Sequence, residues 1–533
     1  MQIPTLKQGK VSREHVTSFG GYHAGARIAE GEFAAMKNCT GDQFPLIATR
    51  RKRGVYAAPQ KCNGLLAKDS LCWVDGSKFV MNGYETELHL TDSPKQLVSM
   101  GAYVVIFPDK KYINTADLSD SGNLEAEFTS AGTVKFTPVD GDGKPLIPAY
   151  TQPEEPEKPE NGALWLDTSG AGALLQWSAG TGMWVSVDNT LVRISCPNMG
   201  VSFRPGDGVQ LTGVPAGVET SGVIADCGRD YVIVPGLLER EASLETPVTV
   251  GRYLPLMDMV LECGNRLWGC RYGLNRAGAV VNEIYASKLG DFRNWNCFQG
   301  VSTDSYCVSL GNDGPFTGAV QHLGYPVFFR EDCIHRLYGS TPATFRLQTT
   351  PCPGVQQGCS QSLARVAVPV TVSQKLGVMP CTRAAAGALG DKYYICFHEE
   401  ESTGQLWVYD TARGLWHRED DTRVRWFCTC RDDLFFVNGA GQIISVMGRG
   451  QPEEEISWML ETGMLGTLTP DSKTLTRLNL RLELEQQAKV WVQYDGDDFW
   501  TPVATVYGSA GQCFNLPVAV RRCDRLRLRL EGT

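Results

Sequence analysis

Short apolar runs separated by polar turns fill residues 257–339, and no helical period occurs among them. The runs at 257–260, 266–270 and 327–329 are each followed by a polar turn and then by a further apolar run. A surface helix would instead place its apolar residues on one stripe, roughly every three to four positions. We therefore predict that this stretch folds into consecutive antiparallel strands.

The same order of features recurs along the chain. Residues 96–114 and 320–337 share an apolar pair, a glycine, an apolar run, a charged turn and a second apolar pair, and fainter copies occupy 391–410 and 424–448. Repeats of a few antiparallel strands are typical of β-propeller blades, which pack on one another because one blade cannot bury both of its faces. The chain is accordingly predicted to be all-β, with a β-propeller of about six or seven blades.

Two local patterns refine this prediction. Asp75-Gly76 separates two apolar arms and is suited to a two-residue hairpin turn, because it tolerates positive φ. Tyr409 and Trp416 flank the turn TARGL, so we expect their rings to pack on one sheet face, as in kelch-type blades. A packing role for these aromatic residues is favoured over ligand stacking.

Composition limits the function classes. A chain of 533 residues is too long for one ordinary core, and its 57 glycines and 28 prolines favour many turns. The formal net charge of −9 argues against non-specific electrostatic binding of DNA by the protein surface as a whole. The polar N-terminus and the lack of a long apolar run predict synthesis and solubility in a cytosol, with no membrane span.

Eighteen cysteines are scattered, mostly singly, through segments with the sequence pattern of β-strands, for example Cys72, Cys263 and Cys396. In a cytosolic protein such residues behave as small hydrophobes. We therefore predict free, buried thiols in preference to disulfides.

Changes in composition divide the chain. A linker rich in Pro and Glu precedes a Trp-rich segment, and predicted strands with Gly-Asp and Pro-Gly turns follow that segment. Near the C-terminus, strict apolar–polar alternation at 478–484 and 526–530 is typical of half-exposed strands. The predicted parts are an N-terminal lead-in segment (1–60), a first propeller part (61–136), a linker plus Trp-rich β insert (137–190), a small β-barrel-like insert (191–253), the main propeller part (254–450) and a C-terminal β-sandwich (451–533).

The one dense basic run of the chain is Arg50, Arg51, Lys52 and Arg53. One interpretation is a loop or strand edge whose cations meet local carboxylates. The other is a patch that contacts nucleic acid or an acidic partner subunit. Both are left open by the sequence.

Trp165, Trp177 and Trp184 alternate with small turns in the Trp-rich segment, which suits a three-stranded mini-sheet held by stacked indoles. These rings could contact a glycan through their faces. The segment could equally be a structural decoration, which we favour.

No catalytic or cofactor motif is recognisable. Phosphate-binding glycine loops and the His-Glu-x-x-His pattern are missing, and the seven histidines stand apart from the cysteines. Cys428-Thr429-Cys430 has no second pair, so we predict no metal site and no cofactor. Asp304, Asp313 and Trp295 are interpreted as turn-forming and packing residues. We expect a non-enzymatic protein, the enzyme alternative being a polysaccharide-degrading propeller.

Several phrases of the sequence resemble a family of tailed-phage virion proteins, the β-propeller proteins grouped with packaged-DNA stabilisation or tail-hub proteins. The resemblance covers residues from about 60 to the end. The phrases that carry it include RYLPLMDMVLECGNRLWGCRYG, NEIYASKLGDFRNWNCFQG, STDSYCVSLGNDGPFTG, PVFFREDCIHRLYGSTPATF, LWVYDTARGLWHRED and RRCDRLRLRLEG. The insert PENGALWLDTS with LLQWSAGTGMWVSV is similar to a decoration module of phage tail proteins.

This resemblance implies a structural role in a virion. Such proteins form a homo-oligomeric ring at the neck or tail, in the head–tail connector region. There they contact portal-proximal, head-completion and tail proteins, close the channel for packaged DNA and carry tail parts. The implied location is the virion, after synthesis in the bacterial host cytoplasm. The alternative is a tail-tip protein that binds a receptor or a host-surface glycan.

Overall fold

Almost all of the described chain is β-structure. The computed structural model describes residues 11, 13–29, 31–170, 172–187, 190–311, 314–364, 373–376, 381–399, 404–467, 472–508 and 511–533. These residues form fifty strands, one 3-10 turn (Ser360–Ser362) and one helical turn (Ser373–Leu376). The prediction of an all-β fold is confirmed. Neither helical segment is long and apolar enough to cross a membrane.

The chain divides into two compact units, one formed by residues 1–85 and 355–533 and the other by residues 86–354. Six antiparallel sheets recur through the two units, five of them built from four consecutive strands, and we number them in chain order. Sheets 2, 3 and 4 belong to the second unit. Sheets 5 and 6 belong to the first, together with sheet 1, whose last strand contains the division.

The strand bounds of the six sheets are as follows. Sheet 1 has Cys62–Lys68, Ser70–Asp75, Lys78–Met81 and Tyr84–His89. Sheet 2 has Gln96–Met100, Tyr103–Phe107, Lys111–Asn114 and Ser121–Asn123. Sheet 3 has Met259–Glu262, Leu267–Leu274, Val280–Ala286 and Tyr306–Ser309. Sheet 4 has Gly318–His322, Tyr325–Phe329, Cys333–Tyr338 and Arg346–Pro351. Sheet 5 has Arg383–Leu389, Lys392–His398, Gln405–Asp410 and Leu415–Arg418. Sheet 6 has Val424–Cys430, Asp433–Asn438, Ile443–Ser445, Gly54–Ala57 and Gln451–Pro452.

Within each unit, neighbouring sheets share apolar cores. Leu261, Trp268 and Ile284 of sheet 3 pack with Phe328 and Leu337 of sheet 4 in the second unit. In the first unit, sheet 5 shares a core with sheet 6, and sheet 6 shares another with sheet 1. Each of these five sheets thus buries at least one face against a neighbouring sheet.

Sheet 6 joins the two ends of the chain. Its fourth strand, Gly54–Ala57, pairs with Ile443–Ser445, with Val55 opposite Ile444 and Gly54 opposite Ser445. From Ala57 the chain continues into sheet 1. Residues 1–60, predicted as a lead-in segment, therefore contain strands. Two of these strands, Glu32–Lys37 and Gly54–Ala57, pair with strands hundreds of residues away, so no local hairpin pattern predicts them.

The sequence repeats correspond to strands, with one shift. Residues 96–114, 320–337 and 424–448 cover the first three strands of sheets 2, 4 and 6, whereas residues 391–410 cover the second and third strands of sheet 5. The first strand of sheet 5, RAAAGAL, has no large apolar residue before Leu389, because sheet 6 packs tightly on it. A Cβ at Gly387 would lie 2.6 Å from Cβ of Phe427.

The predicted hairpin at Asp75-Gly76 forms with a small difference. Asp75 pairs with Lys78, so the two loop residues are Gly76 and Ser77, and Gly76 adopts the positive φ of +59°. Tyr409 and Trp416 are direct cross-strand partners with ring centroids 4.9 Å apart. Their predicted packing on one sheet face is confirmed.

The second unit carries an inserted pair of sheets. One sheet has Ala126–Thr129, Thr249–Arg252, Gly208–Thr212 and Ser221–Val223. The other has Asp226–Gly228, Tyr231–Pro235, Leu191–Ser195, Val134–Val139 and Ala242–Leu244. A common core containing Phe136, Ile194, Val232 and Val250 lies between them. The small β insert predicted at 191–253 thus also takes in strands from residues 126–139.

The Trp-rich segment is nested inside this insert. Its sheet has Tyr150–Gln152, Leu164–Asp167, Ala173–Ser178 and Met183–Ser186. The predicted three-stranded mini-sheet thus has four strands. The additional strand, Tyr150–Gln152, comes from the predicted linker and pairs in parallel with Leu164–Asp167.

The C-terminal strands of the first unit form a layered arrangement with N-terminal strands. The larger sheet has Gly21–Tyr22, Glu32–Lys37, Trp458–Thr462, Leu526–Gly532, Gln487–Tyr494 and Thr501–Tyr507. Three two-stranded pairs accompany it: Arg477–Leu482 with Gln512–Pro517, Lys473–Thr474 with Arg522–Cys523, and Cys39–Thr40 with Ala48–Thr49. Leu526, Leu528 and Leu530 are buried, which confirms the predicted alternation.

All eighteen cysteines are free thiols, and twelve of them are buried. Burial raises the pKa of most of these thiols, for example that of Cys39 to about 12 and that of Cys428 to about 12. The buried thiols with a raised pKa are therefore packing residues whose thiolate form is disfavoured.

We expect Gly387→Ala to lower the free energy of unfolding by about 1–3 kcal/mol, because the new methyl group would overlap Phe427 and Leu434. Urea titration of the full chain measures this change. The matched control is Gly496→Ala in the same unit, where a Cβ would meet nothing within 4 Å. Equal effects of the two substitutions would contradict the close packing of sheets 5 and 6.

Candidate functional site

The basic run lies between strands Ala48–Thr49 and Gly54–Ala57, at the start of the strand that completes sheet 6. Its four side chains separate into two kinds. Arg50 and Arg53 are buried, with 8% and 3% of their surface exposed, whereas Arg51 and Lys52 are exposed. The first pair therefore acts inside the protein and the second at its surface.

Arg53 is held by two acidic residues that follow the last strand of sheet 5. Its Nη1 donates to Asp420 at 2.8 Å and to Thr422 at 3.2 Å, and its Nη2 donates to Glu419. The guanidinium also lies 5.3 Å from the ring centroid of Phe436 in sheet 6. A buried guanidinium with these partners ties the N-terminal loop to sheets 5 and 6.

Arg50 extends the same network. Its Nη1 donates to Glu453 at 2.7 Å, its Nη2 approaches Asp420 at 3.5 Å and its Nε donates to Asn38 at 2.8 Å. Glu453 also accepts the backbone N–H of Arg53 at 3.0 Å. We call Arg50, Arg53, Glu419, Asp420 and Glu453 the closing clamp.

Two of the clamp carboxylates, those of Asp420 and Glu453, are kept ionised. Burial by itself would raise the pKa of Asp420, but the charge of Arg53 and hydrogen bonds from Thr422 lower it below its ordinary value. Burial likewise opposes ionisation of Glu453, and the hydrogen bonds from Arg50 and Arg53 outweigh it, so its pKa is also lowered. The network is therefore most favourable when both carboxylates are charged.

A polar cavity of about 400 Å³ lies beside the clamp in the first unit. Besides clamp residues, it is lined by Asp42, Arg51, Asp391, Lys392, Tyr394, Asp410 and Arg413, among others. Lys392 pairs with Asp42, and Arg413 Nη1 lies 2.5 Å from Asp410. Among the described lining residues, only Arg51 and Asp391 are charged and have no side-chain partner. The cavity thus offers few unsatisfied charges to a ligand.

The cavity lining contains no activated nucleophile. Burial raises the pKa of Tyr394 well above its ordinary value. The carboxylate oxygen of Asp410 that does not pair with Arg413 Nη1 accepts hydrogen bonds from the backbone N–H groups of Ala412 and Arg413. His417, which is not part of the lining, is buried, and burial lowers its pKa to about 3. A neutral, enclosed imidazole of this kind is not placed for general acid–base chemistry near neutral pH.

The structure therefore supplies local carboxylate partners for Arg50 and Arg53. The contact of the run with nucleic acid or a partner subunit stays a prediction for Arg51 and Lys52. The Lys52 Nζ donates to the backbone carbonyl of Glu454 at 2.7 Å. Two of the four cations of the predicted patch therefore remain at the surface, and one of these is engaged with a backbone carbonyl.

The three tryptophans of the insert pack on one another. The ring centroids of Trp165 and Trp184 are 5.2 Å apart and those of Trp177 and Trp184 are 5.4 Å apart, with interplanar angles of 63° and 60°. Trp165 is buried and its Nε1 donates to the backbone carbonyl of Gln152 at 2.9 Å. These rings stabilise the nested sheet, and their contact with a glycan stays a prediction.

Residues that resemble catalytic groups form turns. Asp304 accepts the backbone N–H groups of Gly300 and Val301 at 2.6 and 3.1 Å, and Trp295 is buried with its Nε1 donating to Phe292 at 2.9 Å. Both interpretations from the sequence are confirmed, whereas Asp313 lies outside the described residues. Cys428 and Cys430 pack in one core between sheets 6 and 1. No group of His, Cys, Asp or Glu within the described residues could hold a metal ion.

The clamp carboxylates were missed in the sequence. A signal was present, because Glu419-Asp420-Asp421 and Glu453-Glu454-Glu455 are dense acidic runs that match the one dense basic run in charge. The sequence does not show that these acidic runs pair with Arg50 and Arg53.

Comparisons with known proteins give little further information. No family model and no curated protein matches the chain. Among solved structures, the computationally designed Ika8 protein is 11% identical with a TM-score of 0.22, the match covering 74% of this chain and 99% of that one. An exo-beta-1,3-galactanase from Phanerochaete chrysosporium, solved with galactose, is 9% identical with a TM-score of 0.18, covering 76% of this chain and 96% of that one. At such low TM-scores neither likeness informs the fold or the function.

We expect Arg53→Met to destabilise the protein by about 3–5 kcal/mol, because the substitution leaves the buried Glu419 without its cation and Asp420 with only the longer contact to Arg50. Urea unfolding measures the loss. The matched control is Lys78→Met, which removes an exposed pair with Glu85 and should cost about 1 kcal/mol or less. A loss for Arg53→Met no larger than that of the control would show that the clamp does not secure the closing strand.

Acid should weaken the clamp. The pKa values of Asp420 and Glu453 are lowered in the folded protein, so the unfolded chain binds protons first as the pH falls. Their stabilising contribution is complete near neutral pH and is lost progressively below about pH 5. Unfolding midpoints measured from pH 7 to 3 should fall less steeply in the double variant Asp420→Asn with Glu453→Gln. Parallel pH profiles for the two proteins would contradict this assignment.

Proposed function

We propose that the six sheets are the blades of one β-propeller and that the protein is a structural component of a tailed-phage virion, working at the neck or tail. The observation that carries the propeller proposal is the composition of sheet 6, in which an N-terminal strand completes a sheet of C-terminal strands. A closed ring of sheets leaves no free sheet edge, so it requires an early strand of the chain to pair with a late one. Gly54–Ala57 and Ile443–Ser445 form such a pair.

The repetition within each unit supports the same arrangement. The first strands of sheets 2, 3 and 4 lie side by side in the second unit, as do those of sheets 5, 6 and 1 in the first. In the second unit, the Gln96 side chain bridges sheets 2 and 3 by accepting the N–H of Val260 and donating to the carbonyl of Asp258. Six blades fall within the range of known propellers.

The assembly role rests on the sequence resemblance and on the chemistry of the candidate site. The charged side chains around the cavity are mostly consumed by internal pairs, and the described residues there form no nucleophile–base set. The protein's work is then done by surfaces, through contact with copies of itself and with portal-proximal, head-completion or tail proteins. Large obligate interfaces suit such a component.

One surface feature of the second unit supports self-association. Leu274 and Val280 are cross-strand partners at the end of the long hairpin of sheet 3, and they are 54% and 77% exposed. Two adjacent, exposed aliphatic side chains on a hairpin end form a small apolar patch that a second copy of the chain would cover. We assign this hairpin end to the contact between ring subunits.

The second candidate function is binding of a receptor or glycan at the tail tip. The observation in its favour is the polar cavity of about 400 Å³ beside the clamp, whose size fits part of a small saccharide. In this case the cavity, rather than Trp165, Trp177 and Trp184, would make the contact. No comparable observation favours a polysaccharide-degrading enzyme.

We expect the purified chain to form a closed ring, visible by negative-stain electron microscopy and by sedimentation. The double variant Leu274→Asp with Val280→Asp should shift it to monomers by placing charges in the contact. The control is Val520→Asp, which adds a charge at a side chain 81% exposed in the other unit. A wild-type monomer that binds host cell-wall glycan would overturn the ring proposal in favour of the second candidate, and glycan hydrolysis would overturn both.

A further inference from the structure

Two cysteine thiols converge where the 3-10 turn of the first unit meets sheet 5. Cys359 immediately precedes the turn Ser360–Ser362, and Cys381 lies two residues before the strand Arg383–Leu389. The Cys359 thiol donates to the backbone carbonyl of Thr382 at 3.8 Å, and the Cys381 thiol donates to that of Arg383 at 3.0 Å. The two sulfur atoms thus reach the carbonyls of consecutive residues, and the two thiols lie close enough to interact with each other.

The backbones of the two segments approach closely at this point. The side chain of Gln356 donates to the carbonyl of Cys381 at 3.3 Å, and a Cβ on Gly358 would lie 3.0 Å from the carbonyl of Thr382. The hydroxyl of Tyr393 in sheet 5 donates to the carbonyl of Ser362 at 3.0 Å. The turn is therefore fixed on the sheet on both sides of Cys359, and such an approach of backbones is what a disulfide needs.

We propose that Cys359 and Cys381 are a disulfide-forming pair, reduced in a cytosol and oxidised when the protein meets an oxidising environment. A small-molecule disulfide, such as glutathione disulfide, is the oxidant. The proposal is independent of the ring. Its setting, release of a virion from a lysed host, rests on the proposed function.

The accessibility of the two thiols sets the order of the reaction. Cys381 is half-buried, whereas Cys359 is 6% exposed, and burial raises its pKa to about 11. The Cys381 thiol loses its proton to solvent, and its thiolate attacks one sulfur of glutathione disulfide and expels one glutathione thiolate. Cys359 then loses its proton, and its thiolate attacks the Cys381 sulfur and expels the second glutathione. Two protein thiols are oxidised by two electrons, and two glutathione thiols are formed.

The bond would add a covalent link to a junction that now depends on single hydrogen bonds. It would join residues 359 and 381 and so reduce the conformational freedom of the unfolded chain between them. The first strand of sheet 5, which packs tightly on sheet 6 at Gly387, would be anchored at its beginning.

Other thiols of the chain provide internal controls. Cys428 and Cys430 share a face of one strand of sheet 6, where the strand rise separates their Cα atoms by about 6.8 Å and keeps their side chains parallel. That geometry does not suit a disulfide. Cys396, which lies near Cys381, is completely buried in sheet 5 and its sulfur accepts the N–H of Val424 at 3.3 Å.

The test is oxidation of the purified full chain with glutathione disulfide, followed by alkylation, digestion without reductant and mass spectrometry. We expect a peptide pair linked through Cys359 and Cys381, lighter than the two reduced peptides by two hydrogen atoms, while Cys428 and Cys430 stay alkylated. The unfolding temperature of the oxidised chain should exceed that of the reduced chain by at least about 3 °C. In Cys381→Ser the link and the temperature difference should both vanish, whereas in Cys396→Ser both should persist.

Two results would overturn the proposal. One is a stable glutathione adduct on Cys381 with Cys359 still alkylated, which would show that the second thiol cannot reach the first. The other is a link from Cys381 to Cys396. A ring that fails to form would leave these peptide masses unchanged, so failure of the pair and failure of the proposed function are separately visible.

Discussion

The pairing of two buried arginines with three carboxylates secures the strand on which the first unit depends. Gly54–Ala57 contributes a short ladder to sheet 6, and a strand of this length adds little stability by itself. Arg50 and Arg53 precede it and hold Glu419, Asp420 and Glu453, which follow sheets 5 and 6 in the chain. Charges removed from water are costly unless they are paired, so the clamp specifies where the strand must sit.

The packing of sheet on sheet explains which residues each strand carries. Where sheets 5 and 6 approach most closely, the strand Arg383–Leu389 is built from alanine and glycine, and the large rings come from Phe427 and Phe436 on the other side. In the second unit, aromatic residues such as Trp268 and Phe328 fill the wider space between sheets 3 and 4. Small residues on one sheet and large ones on its neighbour give a filled core at native density.

The functional proposal rests in part on the internal pairing of the charged groups. A basic run can bind nucleic acid only with cations that face solvent, and here the two most buried cations are neutralised inside the protein. The aromatic residues of the nested sheet are likewise occupied with each other. These internal pairings are among the observations on which the assembly proposal rests.

The sequence by itself determined the all-β class, the repeated hairpins, the turn at Gly76 and the packing of Tyr409 on Trp416. Each of these depends on neighbours within a few residues, where alternation and turn chemistry act directly. Tertiary structure alone decided that residues 54–57 complete sheet 6, that the strands around residues 126–139 belong with those after residue 190, and that Arg50 and Arg53 meet the acidic runs. Those pairings join residues far apart in the chain. Local periodicity carries no information about distant partners. The pairing of distant charges and strand edges is therefore decided by the tertiary fold and cannot be predicted from local patterns.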